Sequence, residues 1–147
     1  MDHVAIMRKS WGLLPKILTG EKRIESRWYK HKRAPWGNIQ KGDTVYFKDS
    51  GEPVTLKATV DKLLCFEDLT PEKVKHILDK YRKPDGIPAA ELSRFYKMFE
   101  DKKYCLLIYL RSPQKVKPFD IDKRGFGIMA AWLIVDDIKS ITKSCSA

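Results

Sequence analysis

The chain has 147 residues, 43% of them hydrophobic and 11% aromatic, and its 29 lysines and arginines against 19 acids give a formal net charge of +10. That length favours a single domain over 1–147 with a real core, and that apolar content excludes a disordered chain. No apolar run approaches a membrane span, and the opening MDHVAIMRKSW lacks a signal peptide's apolar stretch, so a cytoplasmic protein with no membrane contact is expected.

In chain order, His3–Met7 reads as a short strand. A helix follows from about Gly12, with Leu13, Leu14, Ile17 and Leu18 on one face, Pro15 in its first turn and Gly20 as its stop. RIESRWY then alternates as a strand does, with Ile24, Ser26 and Trp28 on one face and Arg23, Glu25 and Arg27 on the other. Two further strands, around Thr44–Lys48 and Val54–Cys65, flank the turn-forming DSGEP.

LTPEKVKHILDKY carries the clearest helix signal. Thr70 is the N-cap, Pro71 fits the first helical position, and Leu69 can staple onto Val74. RKPDGIP breaks that helix. AAELSRFYKMFED offers another, with Leu92, Phe95, Tyr96 and Phe99 facing inward as core. KKYCLLIYLRS reads as a strand buried on both faces, KVKPFDID as a separate, shorter edge strand because of Pro118, and RGFGIMAAWLIV as a glycine turn leading into a last strand. Strands with a few interspersed helices suggest an α+β fold: a small, mostly antiparallel β-barrel with helices packed outside.

Three scattered cysteines, Cys65, Cys105 and Cys145, give neither a disulfide framework nor a zinc pair. Cys65 and Cys105 read as core residues and Cys145 as part of a frayed tail. The three histidines, His3, His31 and His76, show no triad or metal-ligand spacing, so neither metal nor cofactor is expected.

A short helix ending in LTGEKRIESRW, with a KGDTVYF strand some fifteen residues on, resembles the ASCH domain of the PUA-like superfamily. The family's G-x-K-x-x-E-x-R run is filled here by Gly20, Lys22, Glu25 and Arg27, and KPFDIDKRGFG with Trp132 looks like its closing strands. The resemblance covers most of the chain, the helical insertion over 70–100 being least diagnostic. It implies a pseudobarrel with a cleft beside the first helix, and binding of RNA or other nucleic acid. For some members it implies hydrolysis of nucleic acid or of a modified nucleoside. One such activity, acyl removal from a modified cytidine, goes with a lysine–threonine–glutamate set. Lys22 matches the lysine, but Glu25 stands at the threonine's place, which removes the expected hydroxyl.

Residue chemistry runs beside that resemblance. Glu25 and Arg27, two apart in a strand, point to one face. Together they make either a salt bridge that anchors the strand or an acceptor and planar donor fork offered to a base and a phosphate. Lys22 has the opposite parity, so it reads either as a solvated turn lysine or, through a bend at Gly20–Glu21, as a member of the cleft. Lys30, Lys32 and Arg33, interleaved with His31 and flanked by Trp28, Tyr29 and Trp36, supply cations for phosphates and flat faces for unpaired bases. Lys115, Lys117, Lys123 and Arg124 form a second basic group. Trp11 reads as core or as part of an aromatic pocket, and Trp132 as core. If the cleft has acid–base chemistry, Lys22, Glu25 and Tyr29 are its candidates. The expected partner is RNA or single-stranded nucleic acid, possibly carrying a modified nucleoside.

Overall fold

The computed structural model describes residues 1–127 and 129–143; the tail that holds Cys145 lies outside them. Among the described residues six strands form one sheet in the order β2-β5-β4-β3-β1-β6. They are β1 (Asp2–Met7), β2 (Ile24–Tyr29), β3 (Thr44–Asp49), β4 (Val54–Phe66), β5 (Tyr104–Phe119) and β6 (Trp132–Val135). Every pairing is antiparallel except β1 with β3. Three helices accompany them, α1 (Leu13–Thr19), α2 (Pro71–Tyr81) and α3 (Leu92–Phe99). No described helix is long and apolar enough to cross a membrane.

The sheet curls into a half-barrel because its strands bury side chains on both faces. Ala5, Met7, Val45, Phe47, Leu56, Ala58, Leu106, Ile108 and Trp132 fill the concave interior, which α1 plugs with Ile17, Leu13, Leu14 and Leu18. On the outer face Ile24, Trp28, Cys105 and Leu107 form a second core under α2 and α3, sealed by Val74, Ile77 and Leu78. A third, smaller core of Val4, Val54, Ile121, Leu133 and Ile138 lies where the C-terminal segment covers the other end of the sheet. Burial of this kind stabilises by roughly 25 cal/mol per Å² of apolar surface.

Local signals explain the helices. The Thr70 hydroxyl accepts from the Lys73 N–H at 3.3 Å and so caps α2, and Gly20, at φ 82°, ends α1 in the left-handed region. Two expectations need correction. KKYCLLIYLRS and KVKPFDID are not two strands but one of 16 residues, carried through by register shifts against β4. Only Tyr104–Tyr109 of it pairs with β2, so its second half has a free edge on that side, where Pro113 and Pro118 cost no ladder bond. Cys65 is exposed rather than core, while Cys105 is buried as expected; both thiols are free.

Candidate functional site

The two end strands of the sheet, β2 and β6, leave a seam with no ladder between them. The chain enters β2 through a tight bend after Gly20, in which the Lys22 N–H donates to the Lys16 carbonyl at 2.9 Å. Lys22 thus precedes the strand, and strand parity does not govern it. The turn after α2 is laid across the same place. The Pro84 carbonyl accepts from the N–H groups of Arg23 at 2.6 Å and Ile24 at 3.0 Å, and the Asp85 N–H donates to the Tyr81 carbonyl at 3.0 Å.

These two bends bring Lys22 and Asp85 together, both buried. The Lys22 ammonium donates to Asp85 Oδ1 at 2.6 Å, to the Asp85 carbonyl at 2.8 Å and to the Ile24 carbonyl at 2.7 Å. Its three protons therefore have three acceptors. Burial opposes its charge, yet Asp85 and Glu25 more than offset this and hold the ammonium above the ordinary lysine range. Burial, helped by the neighbouring Glu25, pushes the Asp85 carboxyl up, against the pull of Lys22 and of Ser26. The second Asp85 oxygen accepts from the Ser26 hydroxyl at 2.7 Å, which itself accepts from the Trp28 indole N–H at 3.2 Å. A solvated turn lysine is thus replaced by a buried, fully bonded one.

Glu25 has a different environment. Its side chain is 6% exposed, with Oε1 3.7 Å from the Lys22 ammonium and Oε2 3.5 Å from Arg27 Nη2, and Oε2 is buried without a hydrogen-bond donor. Glu25 and Arg27 do share one strand face, the concave one. Arg27, however, reaches across the seam. It stacks over the Trp132 ring at 5.0 Å and places Nη1 3.4 Å from the Ala131 carbonyl, while its buried Nε finds no acceptor. Behind it the Trp132 indole N–H donates to His3 Nδ1 at 3.0 Å, and His3 Nε2 meets Asp43 Oδ2 at 2.8 Å.

A cavity of about 210 Å³ runs along the free edge of β2, which is why residues of both strand faces, Glu25 and Ser26, line it. Lys22 and Asp85 form its floor. One wall is Trp11, Leu13 and Lys16 at the start of α1; the other is Gly86–Pro88 with Phe95 and Phe99 of α3. Trp11 and Phe95 meet edge to face at 5.3 Å between centroids, so aromatic rings line both walls. The cleft beside the first helix is present, and the helical insertion builds half of it.

The remaining site residues fall elsewhere. Trp28 is buried and stacked on Phe99 at 4.8 Å, and the Tyr29 hydroxyl, inside the barrel, donates to the Ala34 carbonyl at 3.3 Å, its phenol pushed up by burial. Lys30 and Lys32 are exposed and paired with Asp101 and Glu67, both at 2.9 Å, and Lys32 stands over the rings of Trp36 and Tyr104. Arg33 and Lys117 are exposed. Lys123 bonds the Ala130 carbonyl at 3.3 Å, and Arg124 pairs with Asp122. Asp85, Phe95 and Phe99 were not anticipated as site residues. A chain-breaking PDG turn gives no sign that its aspartate is buried, and an aromatic stripe at helical spacing looks the same whether it lines a core or a cavity.

No protein-family model matches the sequence, and no curated protein does. The fold itself is similar to solved structures. ASCH from Zymomonas mobilis superposes with a TM-score of 0.67 at 15% identity over 97% of this chain and 96% of that one. A mutant form of the same Zymomonas mobilis protein gives 0.68 at 14% identity over 95% and 91%. Over nearly its whole length, then, this chain has the ASCH fold.

Proposed function

We propose that the chain is a cytoplasmic module that binds RNA or single-stranded nucleic acid by admitting one unpaired base to the cavity along β2. The observation that carries this reading is Glu25 Oε2, an acceptor buried without a donor and lining a cavity with aromatic walls. Leaving such an oxygen unanswered is costly, and the N–H edge of a base would answer it. Trp11, Phe95 and Phe99 supply faces to stack on. At about 210 Å³ the space is below the ~300–1,000 Å³ of drug-sized pockets and suits one flat ring system. Outside it, Lys30, Lys32 and Arg33, with Lys117, Lys123 and Arg124 as the second basic group, serve the phosphates of the strand, in keeping with the net charge of +10. Arg27, Trp28 and Trp36 support this surface from behind.

A second reading rests on Ser26. The hydroxyl missing at position 25 has a counterpart one residue later, bonded to Asp85, whose other oxygen carries Lys22. In a hydrolase of RNA or of a modified nucleoside, Asp85 would take the Ser26 proton as the hydroxyl attacks. Product formation abolished by Ser26→Ala marks this reading.

The test of the binding reading is Glu25→Gln, which is nearly isosteric and removes a buried charge. It should keep the melting temperature and weaken single-stranded RNA binding about tenfold, the worth of one charge-assisted hydrogen bond. Phe95→Ala should also weaken it. Unchanged affinity in both folded variants rejects the cavity as the base site.

A further inference from the structure

The C-terminal segment makes a second cationic feature at the opposite end of the sheet from the β2 cavity. Ile121 bridges to Thr142, the Asp122 N–H donates to the Ile141 carbonyl at 2.7 Å, and the Lys143 N–H donates to the Asp120 carbonyl at 2.8 Å. This short antiparallel clasp sets Lys143 beside the 120–123 stretch and anchors both to the third core. Lys48 of β3 lies half-buried near them. An open recess of about 800 Å³ is lined by Ile121, Lys123, Lys143 and the turn at Gly125 and Gly127, with Asp122 and Arg124 at its rim.

The charge here does not balance. Arg124 holds the Asp122 carboxylate with its Nη2, and with Nε at 2.8 Å, so that pair is neutral. Lys48, Lys123 and Lys143 are left facing Asp120 as the nearby acid. Burial lowers the Lys48 ammonium below the usual lysine range, Lys123 and Lys143 lower it further, and Asp120 only partly opposes them. A fold that holds a half-buried ammonium against two others bears a cost that a bound anion would remove. Lysine is a point-charge donor of the kind used for phosphate.

We infer that Lys48, Lys123 and Lys143 form a phosphate-binding site separate from the β2 cavity, taking either the terminal phosphate of a nucleic-acid strand or free inorganic phosphate. The ligand is a compact dianion, since the recess offers three convergent ammonium groups and glycines where side chains would otherwise crowd it. The site stands whether or not the cavity takes a base.

The experiment is titration of the whole chain with inorganic phosphate, read by calorimetry and by NMR of the lysine side chains. Saturable binding that raises the Lys48 pKa is expected. Lys48→Met, which keeps the buried alkyl stem, and Lys143→Ala should each weaken binding about tenfold with melting temperatures unchanged, for loss of one charge-assisted contact. Glu25→Gln, which acts on the cavity, should leave phosphate binding as it is, so the two sites fail or succeed independently. A 5′-phosphorylated oligonucleotide that binds more tightly than its 5′-hydroxyl form, in a Lys48-dependent way, identifies the strand end as the source. Equal affinities together with phosphate binding identify the free ion. No saturable phosphate binding, or binding that both lysine variants leave unchanged, overturns the site.

Discussion

Lys22 and Glu25 are three residues apart and differ in what burial asks of them. Lys22 has spent all three protons within the fold, so its role is to hold the β2 entry against the Asp85 turn. Replacing it with methionine leaves Asp85 and Glu25 buried without their cation and should cost about 3–5 kcal/mol, read as a fall in melting temperature. Adding Asp85→Asn to that variant should recover part of the loss; an unchanged melting temperature for Lys22→Met would show that the pair carries no weight. His3 allows a prediction from proton linkage. Trp132 donates to Nδ1, which requires the neutral ring, and burial holds the imidazole below its usual range despite Asp43. The unfolded chain, with an ordinary histidine, binds the proton more readily than the native one. Its stabilising contribution is therefore complete above pH ~6.5 and is lost as pH falls from there towards the lower native value. Thermal melts between about pH 7.5 and 5.5 should decline for the natural chain and decline less for His3→Gln. Identical slopes would contradict the neutral-histidine assignment.

At the scale of elements, the turn between α2 and α3 matters most, because it supplies one wall of the cavity and the partner of Lys22. Gly86 sits there at φ +77°, and a Cβ on it would lie 3.0 Å from the Lys22 Cβ. Gly86→Ala is strained on both counts and should lower stability by about 1–3 kcal/mol while displacing Lys22 and weakening RNA binding; unaltered melting and binding would show that the turn can move freely. This turn also marks where the sequence stops being readable. β2 shows its alternation in Ile24, Ser26 and Trp28, and α2 shows its cap in Thr70, because those signals are local. The Gly20–Lys22–Glu25–Arg27 run likewise placed Lys22 and Glu25 near one cleft. Asp85 approaches Lys22 from 63 positions away, and no local pattern encodes a contact made by two bends meeting. The aromatics show the same limit. Trp28 and Trp36 stand beside the cations in sequence yet pack inward, whereas Phe95 and Phe99, spaced as core, turn an edge to the cavity.

For the molecule as a whole, the half-barrel leaves its β2–β6 seam to side chains, and the cavity opens along one lip of that seam. The basic residues outside it are engaged only with surface acids. Lys30 and Lys32 would exchange Asp101 and Glu67 for phosphates at little cost, since exposed ion pairs are worth about 0–1 kcal/mol. Charge alone would bind any polyanion, however, and the central claim is that a base enters the cavity. The most direct measurement is therefore paired titration, by fluorescence anisotropy at one fixed salt concentration, of a single-stranded RNA oligonucleotide and the same sugar–phosphate backbone without bases. The account predicts that the baseless strand binds at least about tenfold more weakly, since stacking alone is worth about 1–3 kcal/mol per base. Equal affinity for the two strands would contradict it.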